Sequence, residues 1–239
     1  MQHYFGTIQD GEAFLSNEDE RHFSVRRGEI GEEIELSDPS GALYLCVVSS
    51  LSPLSIKVKE KLSGTRETDI KVTIAFSLLK SDHNELIVQK ATEMGAFSFL
   101  PFVSDRSIVR PKEKEDNKLA RLAKIAREAA TQCRRNVVPT VSPYRYFDEV
   151  LKEEADHRFL AYEGELGKGN SLFASLDNLK KGDRVLILIG PEGGFTEEEA
   201  AKARDAGFAF LSLGRRILRA ETAAIYAMAL LSAKGEEGA

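Results

Sequence analysis

Residues 184–199 read Arg184-Val185-Leu186-Ile187-Leu188-Ile189-Gly190-Pro191-Glu192-Gly193-Gly194-Phe195-Thr196-Glu197-Glu198-Glu199. The uninterrupted apolar run from Val185 to Ile189 is the pattern of a parallel strand covered on both faces. Glycines then break the run, and Thr196 with Glu199 three residues on is a capping box opening a helix that Gly207 stops. Strand, glycine loop and helix together are the unit of an α/β sheet, where ligands bind beyond the carboxyl ends of the strands. The same grammar extends outward. FAFLSLG (208–214) is a strand leading into a second glycine-bearing loop, Gly214 to Arg219. Upstream, VTIAFSLL (72–79), FSFLPFV (97–103) and RFLAYEG (158–164) read as further strands.

Helices separate these strands. SDHNELIVQKATEMG (81–95) has Asp82 as N-cap, Glu85 three residues on and Gly95 as stop. Over 116–136, Leu119, Leu122, Ala126, Ala129 and Cys133 recur at helical spacing, which makes Cys133 a small core residue rather than a nucleophile. The chain closes with ETAAIYAMALLSAK (221–234), apolar over so much of its circumference that it reads as the core of a two-fold subunit interface or as filling for the sheet's own core. Residues 1–68 differ in kind. HYFGTI, EAFLS, HFSVRR, EEIELSD, ALYLCVVSS and SIKVKEKL read as short strands between turn signals, which predicts a small barrel.

Composition is that of a globular chain: 239 residues, 42% hydrophobic and 30% charged, with Lys+Arg 33 against Asp+Glu 38. That length can bury a core without disulfides, and Cys46 and Cys133 lie far apart with no metal-ligand spacing around them, which points to a reducing compartment. No apolar run approaches the ~20 residues that cross a bilayer, and MQHYFGTIQDGEAF lacks a charged n-region followed by an apolar h-region, so a cytoplasmic location without membrane is expected. The net charge of −5 is unevenly spread, for Ser104 to Tyr146 carries eleven basic against five acidic residues. A polyanion would use such a field, although on charge alone a solvated helix face is the favoured reading.

The familiar motifs fail informatively. Gly190 to Gly194 is spaced G-x-x-G-G rather than G-x-G-x-x-G, and Gly167-Lys168 lacks the Ser/Thr of a P-loop. His3, His22, His83 and His157 show no HExxH pairing and no Gly-x-Ser-x-Gly elbow exists, so no metal is expected; each histidine reads as surface or core, His22 within the barrel being the possible exception. A glycine-rich turn alone is often only a turn. Two such loops on strands taken as adjacent, the second followed by Arg219 and Glu221, favour a ligand site.

One ordered series of blocks resembles a known family. Lys80…Glu85…Gln89-Lys90-Ala91-Thr92-Glu93-Met94-Gly95, Asp105-Arg106-Ser107, Glu128 to Arg135 with Pro139, Ile189 to Phe195, and Leu213-Gly214 with Ile217 to Ala223 are similar to the RsmE family, the bacterial 16S rRNA uracil-N3 methyltransferases. Glu20-Arg21-His22-Phe23 to Gly31 resembles that family's N-terminal end. The resemblance implies a PUA-like RNA-binding β-barrel over 1–69 and a SPOUT domain with a parallel sheet over 70–239, its trefoil knot in roughly 160–239. It implies a homodimer that uses S-adenosyl-L-methionine and acts on 16S rRNA or the small ribosomal subunit. The cofactor set it implies is Ala161, Tyr162, Glu163, Ile189, Gly190, Pro191, Glu192, Gly193, Gly194, Leu213, Gly214, Ile217, Leu218 and Arg219. For RNA the set is Arg21, Arg26, Arg106, Arg110, Arg121, Arg127, Arg134 and Arg135. The family usually has glycine where Arg134 stands, a departure that enlarges the local basic patch.

The chemistry this implies needs few groups. A sulfonium carries its own leaving group, so the cofactor supplies the reactivity and the protein supplies position and electrostatics. Uracil N3 is a poor nucleophile until its proton leaves. An arginine beside the uracil oxygens stabilises the developing anion and a carboxylate takes the proton. Arg219, then Arg106, fit the first role; Glu221, then Glu93, fit the second, though both carboxylates also read as helix-start and salt-bridge residues. Another SPOUT enzyme acting on tRNA or a ribose hydroxyl, or a non-catalytic rRNA-binding protein, are the alternatives.

Overall fold

The computed structural model describes residues 1–110, 116–165 and 172–237. They form two compact units, one of Met1–Glu67 with Ala130–Val138 and one of Thr68–Ala129 with the chain from Pro139 onward. The expected single boundary at 69/70 is thus crossed a second time, because residues 130–138 return to the first unit.

In the first unit β1 (Gln2–Gln9), β2 (Glu12–Leu15), β3 (Glu33–Ser37), β4 (Leu43–Leu51) and β5 (Leu54–Leu62) close a barrel in the order β1-β2-β5-β4-β3. Closure comes from parallel pairing of β1 with β3, Gln2 opposite Ile34 through Phe5 opposite Ser37. Tyr4, Ile34, Leu36, Cys46, Val48 and Ile56 fill the interior. Burial pushes the Cys46 thiol up to about 11, as befits a small apolar core residue. The sequence expectation of a strand at HFSVRR is wrong: residues Asn17–Val25 form helix α1. Ser16 accepts the Asp19 amide, Glu18, Asp19 and Glu20 occupy the positive first turn, and Phe23 plugs the barrel. Capping chemistry overrides the β-branched and aromatic content of this stretch.

The second unit runs β6 (Lys71–Ser77), α2 (His83–Glu93), β7 (Ser98–Val103), α3 (Asp116–Gln132), β8 (Thr140–Val141), β9 (Arg145–Tyr146), α4 (Phe147–Val150), β10 (His157–Ala161), α5 (Leu172–Ser175), β11 (Arg184–Ile189), α6 (Glu197–Asp205), β12 (Ala209–Leu211) and α7 (Ala220–Gly235). Its parallel sheet, seven-stranded among the described residues, has the order β12-β10-β11-β6-β7-β8, with β9 also on β7. The central strand β11 feeds Val185, Ile187 and Ile189 into one core with α2, α3 and α7, and Leu186 and Leu188 into the other with α4 and α6. This is the two-sided burial that its continuous apolar run requires. The capping box of α6 is present, Thr196 Oγ1 accepting the Glu199 amide at 3.0 Å and Glu199 Oε2 accepting the Thr196 amide at 2.9 Å. At α2 the expected Asp82 cap makes no side-chain bond; Asn84 instead ties itself to the Leu79 amide and carbonyl, and Glu85 pairs with Arg121.

Helix α7 lies against the sheet of its own chain. Ala224, Ala227, Met228 and Leu231 are fully buried there, so the chain's own core accounts for that face of the helix. A charge at Ala227 would therefore unfold the unit instead of splitting a dimer.

Helix α3 ends in a Schellman motif. The Arg135 amide bonds the Ala130 carbonyl and the Arg134 amide the Thr131 carbonyl, which sets Arg134 at φ 59°. This is the position where glycine costs least, and so the family's usual glycine has a backbone reason. The following residues are fastened to the barrel by charge. Arg135 grips Glu67, whose Oε1 also accepts the Asn136 amide at 2.9 Å, while Arg66 forks onto Glu35 with both bonds 2.9 Å. The Asn136 side chain accepts the Arg66 amide and donates to the Gly41 carbonyl. His3 is buried 3.7 Å from Glu35, and desolvation brings its imidazole down to about 4 despite that carboxylate.

Arg134→Gly relieves a left-handed residue and forfeits an exposed bond to the Met1 carbonyl, so its melting temperature holds or rises, whereas Arg134→Val, branched at the same φ, loses about 1 kcal/mol or more. A glycine variant less stable than the valine variant would refute the motif. For His3 the unfolded chain binds a proton below about pH 6.5 while the folded one stays neutral until about 4, so stability falls with pH across that window, by roughly 3 kcal/mol. His3→Leu flattens denaturation midpoints between those limits; an unchanged slope would count against it. Glu35, held below the ordinary carboxylate range by Arg66, loses its contribution as pH falls through that lowered range.

Candidate functional site

Three neighbouring strands end on one line. The register places Ala161 of β10 opposite Ile189 of β11 on one side and opposite Leu211 of β12 on the other. The two glycine loops therefore flank β10 and are not on adjacent strands, as the sequence reading had them. Beyond these ends lies a cleft of about 430 Å³, within the range of small-ligand sites. Its walls are residues 161–163, the loop from Ile189 to Phe195, the loop from Leu211 to Arg219, and the first turn of α7.

Of the sequence-predicted cofactor residues, Ala161, Tyr162, Glu163, Ile189, Gly190, Pro191, Glu192, Gly194, Leu213, Ile217, Leu218 and Arg219 line this cleft. Gly193 and Gly214 do not. Gly193 faces Arg106, where a Cβ would stand 3.3 Å from the arginine side chain. Gly214 is needed for its φ of 117°, in a turn that Ser212 holds by accepting its amide and donating to its carbonyl. Gly190 and Gly194 are tight for other reasons. A Cβ on Gly190 would press on the Phe195 ring at 3.0 Å, and one on Gly194, at φ 66°, would meet Glu163 Oε1 at 3.0 Å. Phe195 cannot easily yield, for it stacks on Phe102 and packs against Phe147.

The four candidates for chemistry separate. Glu221 (9% exposed) and Arg219 both line the cleft, on the first turn of α7 and at its N-cap. Glu93 lies on α2 in an ion pair with Lys90 at 2.9 Å, away from the cleft lining. Arg106 donates to the Gly193 carbonyl at 2.8 Å and to that of Phe195 at 3.3 Å, so it clamps the glycine loop from behind. Sequence reasoning missed His83, Phe195, Leu211, Ser212, Arg216, Ala220 and Ala223, all of which line the cleft. His83 was read as surface or core; its place just past the carboxyl end of β6, the edge where the loops gather, was the available signal. His22 is an exposed residue of α1.

The basic set is dispersed among other duties. Arg135 is 3% exposed and paired with Glu67, which removes it from the surface and corrects its place in the RNA set. Arg26 pairs with Glu32 and lies over Phe23, Arg121 pairs with Glu85, and Arg110 donates to the Asp105 carbonyl at 3.2 Å. Arg127 is half-buried, while Arg21 and Arg134 are exposed. Lys112 and Lys114 lie outside the described residues. Among the described residues no group of His, Cys, Asp and Glu could hold a metal ion, and no helix is long and apolar enough to cross a membrane.

Comparison with known proteins adds independent findings. Residues 66–232 match the model of the RNA methyltransferase domain family. The chain is 37% identical over 99% of its length to ribosomal RNA small subunit methyltransferase E of Bacillus subtilis, covering 98% of that protein, and 31% identical over 87% of its length to the protein of that name from Synechocystis, covering 68% of it. The crystal structure of a ribosomal RNA small subunit methyltransferase E from Neisseria gonorrhoeae bound to S-adenosyl methionine superposes with a TM-score of 0.85 at 26% identity, covering 98% of this chain and 97% of that one. With its glycine loops on the same sheet edge and its length matched end to end, the chain belongs to the ribosomal RNA small subunit methyltransferase E family.

Proposed function

We propose that the chain transfers the methyl group of S-adenosylmethionine to N3 of a uridine in 16S rRNA of the small ribosomal subunit. The observation that carries this reading is the cleft at the ends of β10, β11 and β12, in a chain whose relatives bear that enzyme's name. The residues present fit the cofactor. Ile189, Leu213, Ile217 and Leu218 offer apolar walls to an adenine, the glycine loop lets backbone approach closely, and Glu163, Glu192 and Glu221 set negative charge around a cationic sulfonium. When bound, that group supplies an activated methyl. Arg219 would stabilise the uracil oxygens as N3 loses its proton, and Glu221 would accept that proton at a carboxylate oxygen. Glu93 and Arg106 drop to a surface pair and a loop clamp, as their contacts indicate.

Other parts of the reading rest on less. The barrel and the exposed Arg21 and Arg134 support RNA contact by the first unit. The boundaries 1–69 and 70–239, the knot within 160–239, the cytoplasmic location and the homodimer belong to the same proposal. The face of α7 left for a partner bears Thr222, Tyr226 and Ala229, not the buried alanines.

Gly190→Ala, by setting a Cβ against the fixed Phe195 ring and so shifting the glycine loop, is expected to weaken S-adenosylmethionine binding about tenfold in calorimetry, roughly 1.4 kcal/mol, with the fold retained; wild-type affinity would place the cofactor elsewhere. With labelled cofactor and small subunits or 16S rRNA, nucleoside digestion should return 3-methyluridine. Label on a ribose 2′ oxygen, label only on tRNA, or cofactor binding without transfer would each overturn the function stated.

A further inference from the structure

In the cleft the N-termini of two helices meet. His83 opens α2 and Glu221 lies in the first turn of α7; both line the cleft, with His83 Nδ1 3.4 Å from Glu221 Oε2. The Glu221 side chain is 11% exposed and that of His83 33%, so the pair runs from a dry carboxylate to a wetter imidazole edge. The Nδ1 atom itself is buried and finds no hydrogen-bond partner in the resting protein. Its neighbour Asn84 is fixed by two 3.0 Å bonds to the Leu79 backbone, which holds the start of α2 in place. The other charged side chains lining the cleft are Glu163 and Glu192 on the loops after β10 and β11, and Arg216 and Arg219 before α7; Asp82 adjoins His83 in sequence.

We propose that His83 is the positioning and relay partner of Glu221, taking from it the proton that leaves uracil N3 and passing it to solvent. The proposal rests on the function read above and adds the route of the proton. The N3–H bond breaks and its proton joins a Glu221 oxygen. The N3–methyl bond forms as the methyl–sulfur bond breaks, its electron pair remaining on sulfur as a neutral thioether. Nδ1 of a neutral His83 then draws the proton from Glu221, restoring the carboxylate, and the exposed edge of the ring releases one to water. His83 does not touch the uracil, and without it a buried carboxylic acid would have to deprotonate unaided between turnovers.

The test is the multiple-turnover rate of methyl transfer at saturating cofactor and 16S rRNA, followed against pH. A relay through imidazole gives the wild type a rate that rises with pH through the ring's titration. His83→Gln, which keeps a polar side chain but cannot carry the proton, should lose that rise and turn over about tenfold more slowly near neutrality, with S-adenosylmethionine affinity within about twofold of wild type. His83→Ala should regain rate on addition of imidazole. Glu221→Gln should lose most of the rate at every pH. A His83→Gln profile that superimposes on wild type, or no gain from imidazole, overturns the relay while leaving the methyltransferase reading intact. A His83→Gln protein whose cofactor affinity drops more than tenfold makes His83 a ligand and overturns it too. Absence of 3-methyluridine from the wild-type reaction removes the parent reading and the relay together.

Discussion

Everything in the cleft hangs on the alignment of three parallel strands. Because β10 pairs with β11 and β12 in parallel, with Ala161 level with both Ile189 and Leu211, three chains leave the sheet at one height. Each must turn there, and each turn brings a different chemistry: Tyr162 and Glu163, the Gly190 loop, and the Ser212–Arg219 loop. Slipping any strand by one residue would move its apolar set to the other core and withdraw its loop from the cleft. The continuous apolar run of β11 holds it between the two cores, where the burial of each aliphatic side chain is worth about 1.5–3 kcal/mol. Fold and site are thus secured by the same five residues, Val185 to Ile189.

The rear of the cleft shows how charge is used to hold backbone. Arg106 spans from the loop after β7 to the carbonyls of Gly193 and Phe195. Nearby, the buried hydroxyls of Ser77, Ser104 and Ser107 bond one another at 2.7–3.0 Å, and the Asp105 amide is taken by Glu199 Oε1 at 2.9 Å. Glu199 thereby caps its own helix with one oxygen and anchors the Arg106 loop with the other. The capping box next to the glycine loop consequently does two jobs, starting α6 and fixing the clamp that keeps the loop from opening.

What the sequence reveals follows from the range of each interaction. The strand–loop–helix unit at 184–199, the stop at Gly207 and most of the cleft lining are set by local patterns, and these were legible. Capping contests were less so: Ser16 turns HFSVRR into a helix because one hydroxyl and three acidic side chains act within a single turn. Charge assignments failed where partners are far apart in the chain. Arg135 counts as a surface cation until Glu67, 68 residues away, is known to hold it, and Arg106 counts as a substrate arginine until Gly193 is seen at its tip. His83 escaped notice for the same reason, since Glu221 reaches it only after the chain has built six more strands of the sheet between them in sequence.

Arg134 shows why a departure from a family pattern has to be read through the backbone first. In the sequence it reads as part of a basic patch; in the fold it stands at the left-handed end of α3. The motif is kept because its two main-chain bonds, Arg135 to Ala130 and Arg134 to Thr131, do not depend on the side chain, and because the segment beyond is already tied down by Arg135, Asn136 and Glu67. The guanidinium, freed from any part in the turn, settles on the Met1 carbonyl. A non-glycine residue is tolerated here because neighbouring ion pairs over-determine the conformation, so the local cost of about 1–2 kcal/mol does not release the segment from the barrel.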